Sequence, residues 1–140
     1  MPERLYEIYG LLQEITWCFG GQGVNGECCG DLSLVEFMAL KKACETENVS
    51  IQKIGCALGF TKSGATRIVD RLEHKGYVAR RRSSEDGRVC CLAVTAKGRK
   101  TVAAIVKKYT GYLGKKLKNL EPEQLKKVRD MLGILSKALH

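Results

Sequence analysis

Histidine is almost missing from this chain, with two in 140 residues. His74 falls inside an amphipathic helical stretch and His140 is the last residue, so no histidine-centred acid–base site is suggested. There is no Walker-type phosphate loop and no C-x-x-C pair. The adjacent acids Glu85 and Asp86, and the pair Glu121 and Glu123, sit in a turn and at a helix start, where carboxylates are expected anyway. These absences argue against an enzyme. No run of about 18 apolar residues occurs, so nothing is expected to span a membrane. The opening MPERLYEIYG has early acids and no apolar signal core, which assigns the chain to the cytoplasm. No repeat, low-complexity tract or linker divides it, and its length suits one domain with a real core.

Acids are scarce where bases are dense. The formal charge is +9, from 24 Lys and Arg against 15 Asp and Glu. Residues 1–60 carry −4, 61–94 carry +4 and 95–118 carry +8 with no acid at all. A basic body behind an acidic N-terminal part favours a polyanionic partner, either nucleic acid or an anionic membrane surface. Cysteine is plentiful, at seven, but the odd count and the lack of an export signal argue against a disulfide framework. Reduced thiols are the expectation.

Residues 3–19 place Leu5, Ile8, Tyr9, Leu12, Ile15 and Phe19 on one helical stripe. A glycine-rich loop follows at 20–31, and its Gly21–Gly26 segment reads G-x-G-x-x-G. It follows a helix rather than a strand and opens no helix, so the dinucleotide reading fails on context. Ser33 caps a second helix over 33–46, with Leu34, Phe37, Met38, Leu40 and Cys44 inward. Ser50 caps a short third helix with Ile51, Ile54 and Leu58 toward the core, where Gly55 and Ala57 allow close helix approach. Cys44 and Cys56 read as small core residues.

Gly59 turns the chain into TKSGATRIVDRLEHKG, residues 61–76. Thr61 caps this helix, Gly76 ends it, and Ala65, Ile68, Val69 and Leu72 form its apolar face. Lys62, Ser63, Thr66, Arg67, Asp70 and Arg71 occupy the rest. A short helix, a glycine turn and a second helix make a helix-turn-helix. Tyr77–Arg81 and Val89–Val94 then read as two strands around the turn dipeptide Asp86-Gly87, with Arg80, Arg81, Arg82 and Arg88 flanking it. Cys90 and Cys91 neighbour each other on a strand and point to opposite faces. Thr95 caps a long basic helix with Val102, Ile105, Val106, Tyr109, Leu113 and Leu117 as its seam. Pro122 suits the first turn of a last helix bearing Leu125, Val128, Leu132, Leu135 and Leu139. The fold expected is mostly α with a small β-hairpin wing. A helix-turn-helix followed by a basic hairpin favours double-stranded DNA over a membrane-surface or protein-interaction module.

The stretch 61–100, with EDGRVCCLAVTAKG at 85–98, resembles the multiple-antibiotic-resistance-regulator (MarR) family of transcription factors, and the likeness in helix order covers nearly the whole chain. The resemblance implies a winged helix-turn-helix lobe over 33–94 and dimerisation helices over 1–20 and 95–140 within a single domain. It implies a homodimer that represses a promoter from a pseudo-palindromic operator. Carried over by position, Lys62, Ser63, Thr66 and Arg67 face the major groove, and Arg88 reaches the minor groove steadied by Asp86. Thr61, Arg71 and Arg80–Arg82 complete the expected DNA-binding set. Ser83-Ser84-Glu85-Asp86 replaces the family's two spaced acids before the wing arginine. Two effector readings stay open. Cys28 and Cys29, adjacent thiols in the glycine-rich loop, with Cys18 as a third, suit a soft metal, a metalloid or an oxidant. The alternative is an organic anion between the lobes.

Overall fold

The computed structural model describes residues 1–20, 30–83, 85 and 87–140. They form six helices and one hairpin: α1 (Pro2–Gly20), α2 (Leu34–Glu45), α3 (Ile51–Leu58), α4 (Lys62–His74), β1 (Val78–Arg82), β2 (Cys90–Val94), α5 (Ala96–Lys116) and α6 (Pro122–Leu139). The chain makes two compact units, Met1–Ile105 and Val106–His140. The mostly helical fold with a two-stranded wing is as the sequence leads one to expect.

In the first unit the starts of α2, α3 and α4 are each fixed by a side-chain cap. Ser33 Oγ accepts from the Glu36 amide at 3.2 Å, Ser50 Oγ from the Lys53 amide at 3.1 Å, and Thr61 Oγ1 from the Gly64 amide at 3.1 Å. Each cap satisfies a backbone donor that has no partner within its own helix. Gly59 and Gly76 take positive φ, 72° and 83°, and so end α3 and α4 without a Cβ penalty. The core is built on Leu40, Ile54, Val69, Leu72 and Leu92, contributed by α2, α3, α4 and β2.

Close approach of α3 and α4 depends on Gly55, where an added Cβ would lie 3.0 Å from the Ala65 Cβ. Ala57 is exposed and plays no part in that approach. The hairpin pairs Val78 with Val94 through to Arg82 with Cys90. Its inner edge is extended by a bridge between Ser50 and Cys91 and a bond from the Leu92 amide to the Val49 carbonyl at 2.9 Å. The wing is thereby tied to the start of α3.

The buried face of α2 differs from the expected one. Glu36, Ala39, Leu40 and Ala43 are buried, whereas Leu34 and Met38 are exposed. Leu40 is buried as expected, but it shares its face with Glu36, Ala39 and Ala43 rather than with Leu34 and Met38. That face includes an acid because a cation waits for it: Lys75 Nζ donates to Glu36 Oε2 at 2.7 Å. Cys44 is half-buried, and burial pushes its thiol up. Cys56 is exposed, contrary to a core role, because its side of α3 lines an open cavity shared with the start of α4 and the wing.

The second unit holds the end of α5 and all of α6. Pro122 stands in the first turn of α6, and Glu121 and Gln124 close a reciprocal capping box. No residue of α6 is buried, and Leu125, Val128 and Leu132 are exposed at helical spacing. In the first unit α1 likewise exposes Leu5, Tyr9 and Ile15.

Candidate nucleic-acid interface

The recognition surface starts from an amphipathic helix. Ala65, Ile68, Val69 and Leu72, at i, i+3, i+4 and i+7, are all buried, which fixes the rotation of α4 about its axis. The opposite face is therefore turned outward. Thr61, Lys62, Ser63, Thr66 and Arg67 share a shallow, open concavity at the N-terminal end of the helix. Thr66 Oγ1 donates to the Lys62 carbonyl at 2.9 Å, and the Thr61 and Ser63 hydroxyls lie 3.2 Å apart. Arg71 is exposed one turn further along. This surface offers hydroxyl donors and acceptors beside flexible cations, next to the positive end of a helix dipole. Such an arrangement suits base edges and phosphates.

The wing arginines divide. Arg81, Arg82 and Arg88 are exposed. Arg80 is instead held by α4: its guanidinium donates to Asp70, and to Glu73 Oε1 at 2.7 Å, while its amide donates to Glu73 Oε2 at 3.0 Å. The hydrogen bond to Asp70, then that to Glu73, raises its pKa further. Arg80 is thus a brace between wing and recognition helix, paired with two carboxylates of its own chain. Asp86, Cys28 and Cys29 lie outside the described residues. Cys18 is exposed on α1.

A polar cluster beneath α4 was not visible as a pattern in the sequence. Lys75, which caps the C-terminal end of α4, donates to Glu36 and to the Asp31 carbonyl. The Tyr77 hydroxyl donates to Asp31 Oδ1, and Lys97 Nζ donates to the Lys75 carbonyl at 2.7 Å while lying 4.6 Å from the centre of the Tyr77 ring. Thr95 Oγ1 completes it with bonds to the carbonyls of Gly76 and Tyr77 at 2.7 and 3.0 Å. The start of α2, the end of α4 and the start of α5 meet here, so the cluster sets where the recognition helix sits. The one available signal was the i, i+3, i+4, i+7 spacing of Glu36, Ala39, Leu40 and Ala43.

These bonds imply a pH window. The Tyr77 hydrogen bond holds the Asp31 carboxyl below its ordinary value of 3.8, while burial, followed by the bond to Asp31, pushes the Tyr77 phenol up from 10.0 to about 12. A depressed carboxyl stabilises above its unfolded pKa and loses that stabilisation as pH falls through the folded value. A raised phenol stabilises below its unfolded pKa and loses it as pH rises toward the folded value. Wild type is therefore expected to keep this contribution between about pH 4 and 10. Tyr77→Phe should lower the denaturation midpoint inside that window and close the gap to wild type outside it. A pH-independent gap in urea titrations would contradict this account.

Comparison with known proteins agrees with this geometry. Residues 32–90 match the family model described as MarR family. The transcriptional repressor MprA of Escherichia coli K12 is 39% identical over 90 residues, which cover 63% of this chain and 47% of that protein. The match thus spans about half the length of that relative. The uncharacterized HTH-type transcriptional regulator YfiV of Bacillus subtilis is 30% identical over 133 residues, covering 95% of this chain and 83% of YfiV. Among solved structures, a MarR family protein from Bacillus stearothermophilus superposes with a TM-score of 0.84 at 21% identity, over 99% of this chain and 97% of that one. Streptococcus pneumoniae FabT, solved in complex with DNA, gives 0.79 at 22% identity, over 99% and 97%. The chain belongs to the MarR family of winged helix-turn-helix transcriptional regulators.

Proposed function

We propose that the protein acts as a homodimeric, sequence-specific DNA-binding repressor. The observation that carries this reading is the split of α4, with four apolar residues buried and Lys62, Ser63, Thr66 and Arg67 turned outward together. In this reading those four enter the major groove, Arg88 enters the minor groove, and Arg71, Arg81 and Arg82 meet phosphates. Arg80 and Thr61 hold the reader in shape. FabT, solved with DNA, and MprA, a transcriptional repressor, support the assignment by likeness. The homodimer is supported by the unburied apolar seams of α1 and α6, since a helix with no packed face gains little stability alone.

A competition between duplex DNA and anionic lipid vesicles tests the class of partner. Duplex binding should dominate at equal salt. With roughly 6–10 phosphate contacts, it should weaken about 10³–10⁵-fold between about 50 and 200 mM salt. Preferential vesicle binding, or duplex binding that ignores salt, overturns the reading.

A further inference from the structure

A second cavity, of about 500 Å³, lies between α3, the N-terminal end of α4 and the start of β2. Its chemistry is unlike that of the outward face of α4. Ile51, Phe60, Ala65 and Val89 give it apolar walls. Two free thiols line it from different elements, Cys56 on α3, which is exposed, and Cys90 on β2, which is half-buried. Lys62 and Arg88 also line it, and no acid does so among its described lining residues.

These features select a ligand class. A soft metal cation is disfavoured, because cations stand beside the thiols and no group of three or more His, Cys, Asp and Glu side chains gathers anywhere among the described residues. A carbon electrophile with an apolar body and an acidic group matches each feature in turn. The walls take the body, Lys62 takes the carboxylate, and a thiol supplies the nucleophile.

We propose that this cavity is a covalent regulatory site for conjugated carbonyl compounds bearing a carboxylate, with Cys56 reacting first and Cys90 second. The Cys56 sulfur forms a C–S bond to the β carbon. The C=C π bond breaks, its electron pair passes through the enolate, and the thiol proton ends on the α carbon. No oxidant is needed. The proposal rests on the DNA-binding reading in one respect. Lys62, Thr66 and Arg88 line the same cavity, so an adduct occupies space beside side chains assigned to the two grooves and releases the DNA.

The chain carries its own control in Cys18, an exposed thiol on α1 outside this cavity. The full-length protein is treated with trans-3-benzoylacrylate or its uncharged methyl ester, and adducts are mapped by mass spectrometry over time. Taking the ratio of Cys56 to Cys18 labelling cancels the different intrinsic reactivities of the two reagents. With the acid, Cys56 should lead Cys18 by about tenfold, and with the ester that lead should shrink toward unity. The Cys56 adduct should bind duplex DNA at least about tenfold more weakly than untreated protein. Cys56→Ser/Cys90→Ser should bind DNA normally, and treatment with the reagent should leave that binding unchanged although Cys18 is still labelled. The same labelling ratio with acid and ester, or complete Cys56 labelling with unchanged DNA affinity, overturns the proposal. If untreated protein fails to bind DNA at all, the functional reading fails, while the labelling ratio still tests the cavity.

Discussion

Gly98→Ala should destabilise the protein by about 3 kcal/mol or more, despite alanine being the better helix former. A Cβ at this position would stand 2.3 Å from the Tyr77 carbonyl oxygen and 2.8 Å from Val94 Cγ1. The carbonyl cannot move aside cheaply, because it accepts from both the Thr95 amide and the Thr95 hydroxyl at 3.0 Å. Tyr77 and Thr95 also belong to the polar cluster that seats α4, so the strain reaches the DNA reader. Relief of the clash by moving α5 would cost the burial of Val102 and Ile105. Gly55→Ala meets a side-chain carbon at 3.0 Å and should cost less, since Ala65 can yield by a few tenths of an ångström. Thermal denaturation of both variants checks the order. A Gly98→Ala protein as stable as wild type would show that α5 does not approach Tyr77 as described.

Arg67→Ala should cost operator binding about 1–3 kcal/mol per recognition helix, and the loss should fall on the specific site. Arg67 is exposed on the outward face of α4, beside Ser63 and Thr66 and near the helix N-terminus. An arginine so placed can donate two parallel bonds to a guanine edge, which lysine cannot reproduce. The expected result is a large loss on operator DNA and a small one on random duplex, compressing the specificity ratio. Equal losses on both would place Arg67 on a phosphate instead. Arg80→Ala offers a contrast from the other side of the wing. Its bonds to Asp70 and Glu73 make it a positioning residue, so its replacement should disturb the wing before it disturbs the recognition helix's own contacts.

How much of this was legible in the sequence differs from element to element. The caps Ser33, Ser50 and Thr61, the turns at Gly59 and Gly76, and the face Ala65, Ile68, Val69 and Leu72 all follow from local rules, and the structure has each of them. The hairpin around Asp86-Gly87 and the order of helices followed from the same rules, and the family likeness added the dimer and the groove assignments. What local rules could not supply were pairings between distant residues. Periodicity in α2 pointed to the bulky residues, because nothing local reveals that Lys75, 39 positions away, neutralises Glu36. Arg80 looked like its neighbours Arg81 and Arg82, until Asp70 and Glu73 turned out to flank it. Cys56 read as core because its helix is short, yet its side lines an open cavity. In each case the sequence shows the chemical groups, and only the tertiary fold shows which of them meet.

The central claim is that two copies of this chain read a two-fold symmetric duplex with α4. Footprinting on selected operator fragments, combined with the mass of the complex by light scattering, tests it most directly. The account predicts two subunits per duplex and two protected half-sites whose centres lie about one helical turn, roughly 34–36 Å, apart. A single protected half-site bound by one subunit would contradict it.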